Sequence, residues 1–331
     1  VIIPPKFELT KEIALLLGQL EANRIIIDSL PIPPAIERNF RRASILGSSL
    51  FSARIEGNTL LESDVSDFRD LTSKEKNKIE VANLVRAHEY LLEHYKNPEL
   101  ISKKEILYWH QMAMENILAG EYLGVFRTSH EGVFDSVGNL IYHAPPPAQV
   151  SSLIDQLLFY ANQKDSESPL VRAILSHLIF EKIHPFVDGS GRVGRLLQSA
   201  ILANSGYAMK GLVMVEKEID AQKQHYYRAI EKSDATQFLQ LMLELLVAAS
   251  EKAKDKILGA QKYKKEDLLA PRRREILEII RDHQTASFDF LQRRFLQVGP
   301  RLLAYDLKYL MDNGYINKIG KTRGVLYSPK F

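Results

Sequence analysis

The chain has 331 residues, about twice a typical domain, so two or three domains are expected. It contains no cysteine, which excludes disulfides, Cys-ligated zinc, iron–sulfur clusters and thiol nucleophiles. With 44 Lys+Arg against 41 Asp+Glu the net charge is only +3, so the chain as a whole carries no strong excess of either charge. No run approaches the ~18 to 20 apolar residues of a membrane helix, and Val1–Pro5 carries no signal-peptide core. A cytoplasmic protein without membrane contact is expected.

Apolar residues at helical spacing predict helices over 11–29, 35–56, 77–95 and 102–117. Pro31, Pro33 and Pro34 end the first, Gly57-Asn58 the second and Pro98 the third. Ser102 with Glu105 forms a capping-box pattern at the start of the fourth. The helical pattern breaks over 124–147, where apolar pairs flank Asp135–Asn139, and a β-hairpin turning near Gly138-Asn139 is expected. Helices follow over 148–163 and 169–183, the latter with Ser168 as cap and Pro169 in the first turn. Another runs over 192–205 and stops at Gly206.

From Ala260 onward there are 15 Lys+Arg and 8 Asp+Glu, a net of +7. The rest carries 29 and 33, a net of −4, so the tail reads as a separate basic unit joined by a charged hinge over 251–267 that can form a solvated helix. Helices are expected over 272–283, 287–295 and 300–313, the last with Leu302, Leu303, Leu307 and Leu310 on one face. Strands over 315–319 and 324–328 flank Gly320–Arg323. Three helices and a basic hairpin resemble a winged helix-turn-helix. The expected architecture is mainly α: a helical region at 1–100, a core at 101–250, a linker at 251–269 and this small domain at 270–331.

The densest chemistry lies in His184-Pro185-Phe186-Val187-Asp188-Gly189-Ser190-Gly191-Arg192-Val193-Gly194-Arg195. It is a tight loop delivering into a helix N-terminus. Gly189 and Gly191 let backbone approach a ligand. Unsatisfied N–H groups and the helix dipole favour an anion such as phosphate. Arg192 and Arg195 lie three apart on one face and suit a polyphosphate. Asp188 is a hard oxygen ligand able to hold Mg²⁺, and His184 can take a proton from an incoming hydroxyl. Together these residues make a phosphate-transfer site.

This segment resembles the Fic family signature, His-Pro-Phe-x-Asp/Glu-Gly-Asn-Gly-Arg-x-x-Arg, departing only at Ser190, where the family has Asn. Gly124-Val125-Phe126-Arg127 resembles the family's Gly-x-x-Arg before its flap, and Tyr142–Pro147 its Pro-rich flap end. The resemblance implies a helical core with a hairpin flap that transfers AMP from ATP to a Ser, Thr or Tyr hydroxyl of a target protein or of itself. It implies His184 as general base, Asp188 as ligand to Mg²⁺ or Mn²⁺, and Gly189, Ser190, Gly191, Arg192, Val193, Gly194 and Arg195 around the ATP phosphates. Tyr226 and Tyr227 would line the adenine pocket, and Ile141, Tyr142 and His143 would dock the target as an added strand. Gly191 argues against the branch of the family that transfers phosphate and carries Lys there. Ser190 is one hydrogen-bonding arm shorter than Asn, so reduced activity or a reordered loop is open.

Ser52-Ala53-Arg54-Ile55-Glu56-Gly57 resembles the family's inhibitory motif, Ser/Thr-x-x-x-Glu-Gly/Asn. Ser52 and Glu56 sit four apart on one helix face. The resemblance implies that Glu56 pairs with Arg195 and keeps it from ATP, within one chain, and leaves removal of AMP open as a second activity. Ser49, Ser52 or a flap tyrosine are candidates for self-modification. His177 and Trp109 read as packed residues. In the tail, Arg301, Lys308, Lys321 and Arg323 are candidate DNA contacts; a protein-interaction or homodimer role competes. The alternative function is a DNA-binding regulator using the core as a nucleotide sensor.

Overall fold

The computed structural model describes residues 1–65, 71, 75–95, 100–134, 140–163, 167–260, 266, 269–320 and 324–330. The chain divides into two compact units, residues 1–258 and 259–331.

In the first unit, α1 (Lys11–Ser29) starts at Thr10, whose side chain accepts from Ile13 N. Helices α2 (Pro34–Ile55) and α3 (Lys76–His94) follow, and α4 (Lys103–Met114) begins with the expected capping box of Ser102 and Glu105. Helix α4 ends at Met114, three residues before its predicted end, where Glu115 leaves the helical conformation (φ −56°, ψ 131°). Strands β1 (Gly132–Phe134) and β2 (Leu140–His143) pair antiparallel, Val133 opposite Tyr142. The predicted turn at Gly138-Asn139 lies outside the described residues. Helices α5 (Pro147–Ala161), α6 (Pro169–Ile183) and α7 (Ser190–Asn204) come next. The expected Ser168 cap does not form: Pro169 occupies the first turn and Ser168 makes no side-chain cap bond.

Helix α6 is buried on nearly every face, which is why it reads as continuously apolar and why it forms the centre of the unit. It packs on α7, itself buried from Ser190 to Gln198. Residues of α1, α2, α4 and α5 share one apolar core with them, including Leu20, Ile27, Ile55, Trp109 and Ile154. Short helices α8 (Val215–Ala221) and α9 (Lys223–Glu231) have no counterpart in the sequence reading; at seven and nine residues they carry too few turns for a clear apolar period. Helix α10 (Thr236–Ala260) runs nine residues beyond the start of the predicted linker. The helix expected in this charged segment is present as far as Ala260, but Ala253 and Ile257 are buried, so it is packed on one side and not solvated all round. No helix among the described residues is long and apolar enough to cross a membrane.

The second unit contains α11 (Pro271–Asp282), β3 (Ala286–Ser287), α12 (Phe288–Arg294), α13 (Pro300–Asp312), β4 (Ile316–Ile319) and β5 (Leu326–Pro329). The two predicted strands pair antiparallel, and the unpredicted β3 adds to β5, giving the order β3-β5-β4. Ile276, Ile280, Leu291, Leu303, Leu307 and Leu310 form its core. Leu302, expected on that face, is 44% exposed. Asp306 is fully buried and accepts from Arg272 Nε (2.5 Å) and Arg273 Nε (2.8 Å). Part of the tail's positive charge is thus neutralised inside the unit.

Candidate active site

The signature loop is fixed by backbone geometry at its two ends. His184 caps α6 in the left-handed region (φ 46°), its N–H bonded to Phe180 O at 2.9 Å, and Pro185 cannot continue the helix. Gly189, at φ 87°, turns the chain into α7, which begins at Ser190, two residues before its predicted start. Gly191 therefore has ordinary helical geometry, and its requirement is space: a Cβ there would stand 2.3 Å from Glu56 Oε1. Ser190 Oγ accepts from Phe186 N at 3.1 Å and is 1% exposed. Serine at this position thus closes the loop on itself, and its side chain does not face an anion.

Arg127 clamps the loop from outside. Its guanidinium is 3% exposed and donates to four carbonyls: His184 O (2.7 Å), Pro145 O (2.7 Å), Ser129 O (2.8 Å) and Ile183 O (3.3 Å). Its own N–H reaches Pro185 O at 2.9 Å. One planar fork thereby ties the flap's end to the loop. Arg127→Lys is expected to destabilise the first unit by about 3 kcal/mol, because one ammonium cannot replace a fork that serves four carbonyls, two of them in buried bonds. Urea unfolding measures this; an unchanged midpoint contradicts it. His110 supports the loop from α4, donating from Nε2 to Asp188 O (3.0 Å) and accepting at Nδ1 from Gly124 N (3.0 Å). It also stacks on Phe186 with ring centroids 3.8 Å apart. Burial pushes its pKa down to about 4, so the ring stays neutral.

Glu56 and Ser52 meet Arg195 as expected. Arg195 Nε donates to Ser52 Oγ, and Nη2 to Ser52 O and Glu56 Oε1, each at 2.9 Å. Nη1 has no protein partner among the described residues and lies near Gly191. A carboxylate therefore rests at the N-terminal turn of α7, where an anion is favoured. Burial raises the Glu56 pKa, but Arg195 and Arg192 outweigh it and hold the carboxyl below its ordinary value. Ser49 and Ser52 are 0% and 1% exposed, so neither is open to modification in this arrangement.

Arg192 is placed differently from expectation. It is 4% exposed and bonds both Asp188 on its own turn and Glu80 of α3. Glu80 also accepts from Asn58 Nδ2 at 2.8 Å. The sequence reading missed Glu80 and Asn58; nothing local links residues 112 positions apart in the chain. Asp188 keeps one oxygen toward solvent, its other being engaged by Arg192 and by Gly189 N (2.6 Å). Among the described residues no group of three or more His, Asp or Glu side chains could hold a metal. A single exposed hard oxygen fits Mg²⁺ that brings its remaining ligands as phosphates and water.

His184 has a half-buried side chain whose Nδ1 lacks a protein partner among the described residues. Burial lowers its pKa, with Glu56 opposing, so the imidazole is neutral at pH 7. Behind the loop, His177 is fully buried and bonded to the Tyr226 hydroxyl at 2.7 Å. Burial and then Arg195 push its pKa down to about 3. Glu181, 3.7 Å from His177 Nε2, is pushed up to about 8 by burial and by Glu56. Gly194 packs closely on this cluster: a Cβ there would stand 3.0 Å from His177 Nδ1 and 3.3 Å from Glu181 Oε1. Tyr226 is 1% exposed, so this member of the pair is a buried support; Tyr227 is half-buried and bonds Ile55 O at 3.0 Å. In β2, Tyr142 is half-buried and His143 exposed. Val193 packs in the core beneath the loop. Gly57, at φ 104°, ends the turn after Glu56. Arg301 and Lys308 are exposed on α13, while Lys321 and Arg323 lie outside the described residues.

Residues 100–202 match the model of the Fic/DOC family. The chain is 26% identical over 240 residues to the protein adenylyltransferase Fic of Drosophila mojavensis, covering 69% of this chain and 45% of that protein. It is 38% identical over 80 residues to a probable protein adenylyltransferase of Aquifex aeolicus, 24% of this chain and 25% of that one. The chain thus spans under half the length of these curated relatives. A Fic family protein from Desulfovibrio desulfuricans shares the fold over 98% of both chains, with TM-score 0.69 and 23% identity. Fic-1 from C. elegans shares it over 75% of this chain and 73% of that one, with TM-score 0.58 and 22% identity.

Proposed function

We propose that this chain, which carries a Fic-family domain over residues 100–202, is an autoinhibited protein adenylyltransferase that moves AMP from ATP to a hydroxyl side chain. One observation carries the reading: the carboxylate of Glu56 lies against Gly191 and Arg195, at a helix start suited to a phosphate. A carboxylate in that place excludes a second anion by charge and by volume.

In the transfer, neutral His184 accepts the proton of the target hydroxyl as its oxygen bonds the α-phosphorus and pyrophosphate leaves. Arg195 and the N–H groups at the start of α7 hold phosphate oxygens, which is positioning and charge stabilisation. Asp188 would hold Mg²⁺ or Mn²⁺ through its outward oxygen, and the bound ion would supply neutralisation of phosphate charge. The flap strand Leu140–His143 offers an edge for a target peptide. Arg192, bonded to Glu80 and Asp188, serves the loop more than the nucleotide. Removal of AMP by the same site, with Glu56 orienting water, is a compatible reverse activity. The test compares ATP labelled at the α- or γ-phosphate: label from the α-position alone supports AMP transfer, and label from the γ-position sinks it.

The rate of transfer should follow the neutral form of His184. Because burial lowers its pKa, the acid limb of kcat/KM is expected below the ordinary ~6.5 of histidine. Replacing Glu56 removes the largest of three influences that raise this pKa, Glu131 and Asp188 being the others, so the limb moves further to acid in Glu56→Gly. A limb above pH 7 in that variant is the contrary result.

A second reading, a DNA-binding regulator, draws on α13. Arg301, Tyr305 and Lys308 share its exposed side, with Tyr305 60% exposed, as on a groove-entering helix of a winged helix. Salt-sensitive DNA binding without any AMP transfer would favour it.

A further inference from the structure

Helix α9 fastens the end of the inhibitory helix α2. The last carbonyls of a helix have no N–H partner within it, and the helix dipole makes that end negative. At the end of α2 two of them are taken by side chains. Lys223 Nζ donates to Arg54 O (3.2 Å), and the Tyr227 hydroxyl donates to Ile55 O (3.0 Å). Lys223 and Tyr227 stand four apart on α9, so one face of that helix meets both carbonyls. The Arg54 side chain ties the same turn to the end of α8, donating from Nε to Asp220 Oδ2 (3.2 Å). A cation in the first turn of a helix opposes that helix's own dipole. Lys223 opens α9, and its favourable partner is the end of α2.

Glu56 follows directly on these residues. It caps α2 at φ −87° and ψ 5°, and its N–H bonds Ala53 O at 3.0 Å. Arg54 O also accepts from Gly57 N (3.0 Å), so Lys223 shares an acceptor with the turn that carries Glu56. The Lys223 side chain is half-buried. Burial lowers its pKa while Glu56 and then Asp220 oppose, which places the ammonium in the field of both carboxylates. Arg195 fixes the Glu56 carboxylate from the front. The contacts with α9 fix the backbone that bears it.

We infer that Lys223 is a positioning residue for the inhibitory carboxylate: its ammonium latches the last turn of α2 to α9 and so holds Glu56 against Arg195. Without the latch the turn over residues 54–57 opens more often, and each opening frees Arg195 for a phosphate. The effect on AMP transfer rests on the function proposed above; the latching of the turn does not.

Two readouts on the full chain test this. Lys223→Met keeps the volume of the stem and the helix propensity, and Lys223→Arg keeps the charge and the donor. The amides of Glu56, Gly57 and Asn58 bond Ala53 O and Arg54 O in the latched turn. Their hydrogen exchange is expected to quicken about tenfold in Lys223→Met, the worth of one half-exposed charge-assisted hydrogen bond. It should stay within about twofold of wild type in Lys223→Arg. Amides of α6 should exchange as in the wild type, which a general loss of stability would not allow. AMP transfer from ATP labelled at the α-phosphate should rise about tenfold in Lys223→Met. In the Glu56→Gly background the same substitution should change transfer by less than about twofold, because no carboxylate remains to be held. Unchanged exchange at residues 56–58 in Lys223→Met, or equal quickening in α6, overturns the latch. Quickened exchange without a rise in transfer, in a chain that Glu56→Gly does activate, overturns its link to inhibition. A large fall in transfer in the Glu56→Gly background makes Lys223 a nucleotide contact and overturns the positioning role. Quickened exchange in a chain where no variant transfers AMP, Glu56→Gly included, sinks the adenylyltransferase reading and leaves the latch standing.

Discussion

Glu56→Gly is expected to raise AMP transfer about 10²–10³-fold while lowering the Tm of the first unit. The gain follows from what Arg195 is doing. Its Nε and Nη2 are engaged by Ser52 and Glu56, and among the described residues Nη1 has no protein partner. Removing the carboxylate returns Nη2 to the phosphate chain and clears the space over Gly191. A preorganised charged donor on a transition-state oxyanion is worth about that factor. The loss of stability follows from the same pair. Breaking a buried ion pair costs about 3–5 kcal/mol, and Glu56 keeps 24% of its side chain exposed, so about half of that applies here. At about 2–4 °C per kcal/mol for a domain of this size, the Tm falls by several degrees. Saturating ATP should recover much of it, since a phosphate supplies the anion that Arg195 has lost. Ser52→Ala removes one hydroxyl acceptor and keeps the ion pair, so its effect on transfer should stay within about tenfold. Label incorporation and thermal unfolding measured side by side decide the matter. A fall in Tm with no rise in transfer would mean that Glu56 is a structural partner of Arg195 and not a brake.

The site is legible in the sequence where its chemistry is local. Base, anion site and arginines all fall between His184 and Arg195, and their order already dictates a loop entering a helix. Ser52 and Glu56 are legible through the resemblance of residues 52–57 to an inhibitory motif, with their one-turn spacing placing both on one helix face. What escapes the sequence is the assignment of partners over long separations. Arg192 looks like a phosphate contact because it faces the same way as Arg195, but Glu80 and Asp188 claim it. Gly191 looks like a backbone-freedom glycine, whereas its φ is helical and the space it leaves is filled by Glu56. Tyr226 looks like a pocket wall, and burial between His177 and Phe238 makes it a support. In the fold, long helices such as α1 and α6 match their predicted spans. The two-residue β3 has no period to read, and its pairing with β5 is fixed by the tertiary fold. The second half of α10 misleads because its charged residues mask the buried stripe of Ala253 and Ile257.

In the released background, His184→Asn should lower transfer by about 10²–10⁴, the usual contribution of a general base, with ATP binding intact. Asparagine is the better probe than alanine because position 184 holds φ 46°. Asn enters the left-handed region more readily than other non-glycine residues, while Ala there costs about 1 kcal/mol. The surrounding loop does not depend on the imidazole. Arg127 grips the carbonyl of residue 184, and Phe180 O accepts its N–H, whatever side chain is attached. The buried Nδ1 has no protein partner to lose among the described residues. Stability should therefore change by less than about 1 kcal/mol, and calorimetric ATP affinity should stay within a factor of about three. Transfer alone collapses, because the target hydroxyl has no base within reach as its oxygen attacks. If His184→Asn loses ATP affinity and transfer in proportion, the residue shapes the nucleotide site and another group takes the proton. If transfer survives, the base is elsewhere. Loss of transfer at unchanged affinity and unchanged Tm separates proton transfer from every structural role the loop could give this side chain.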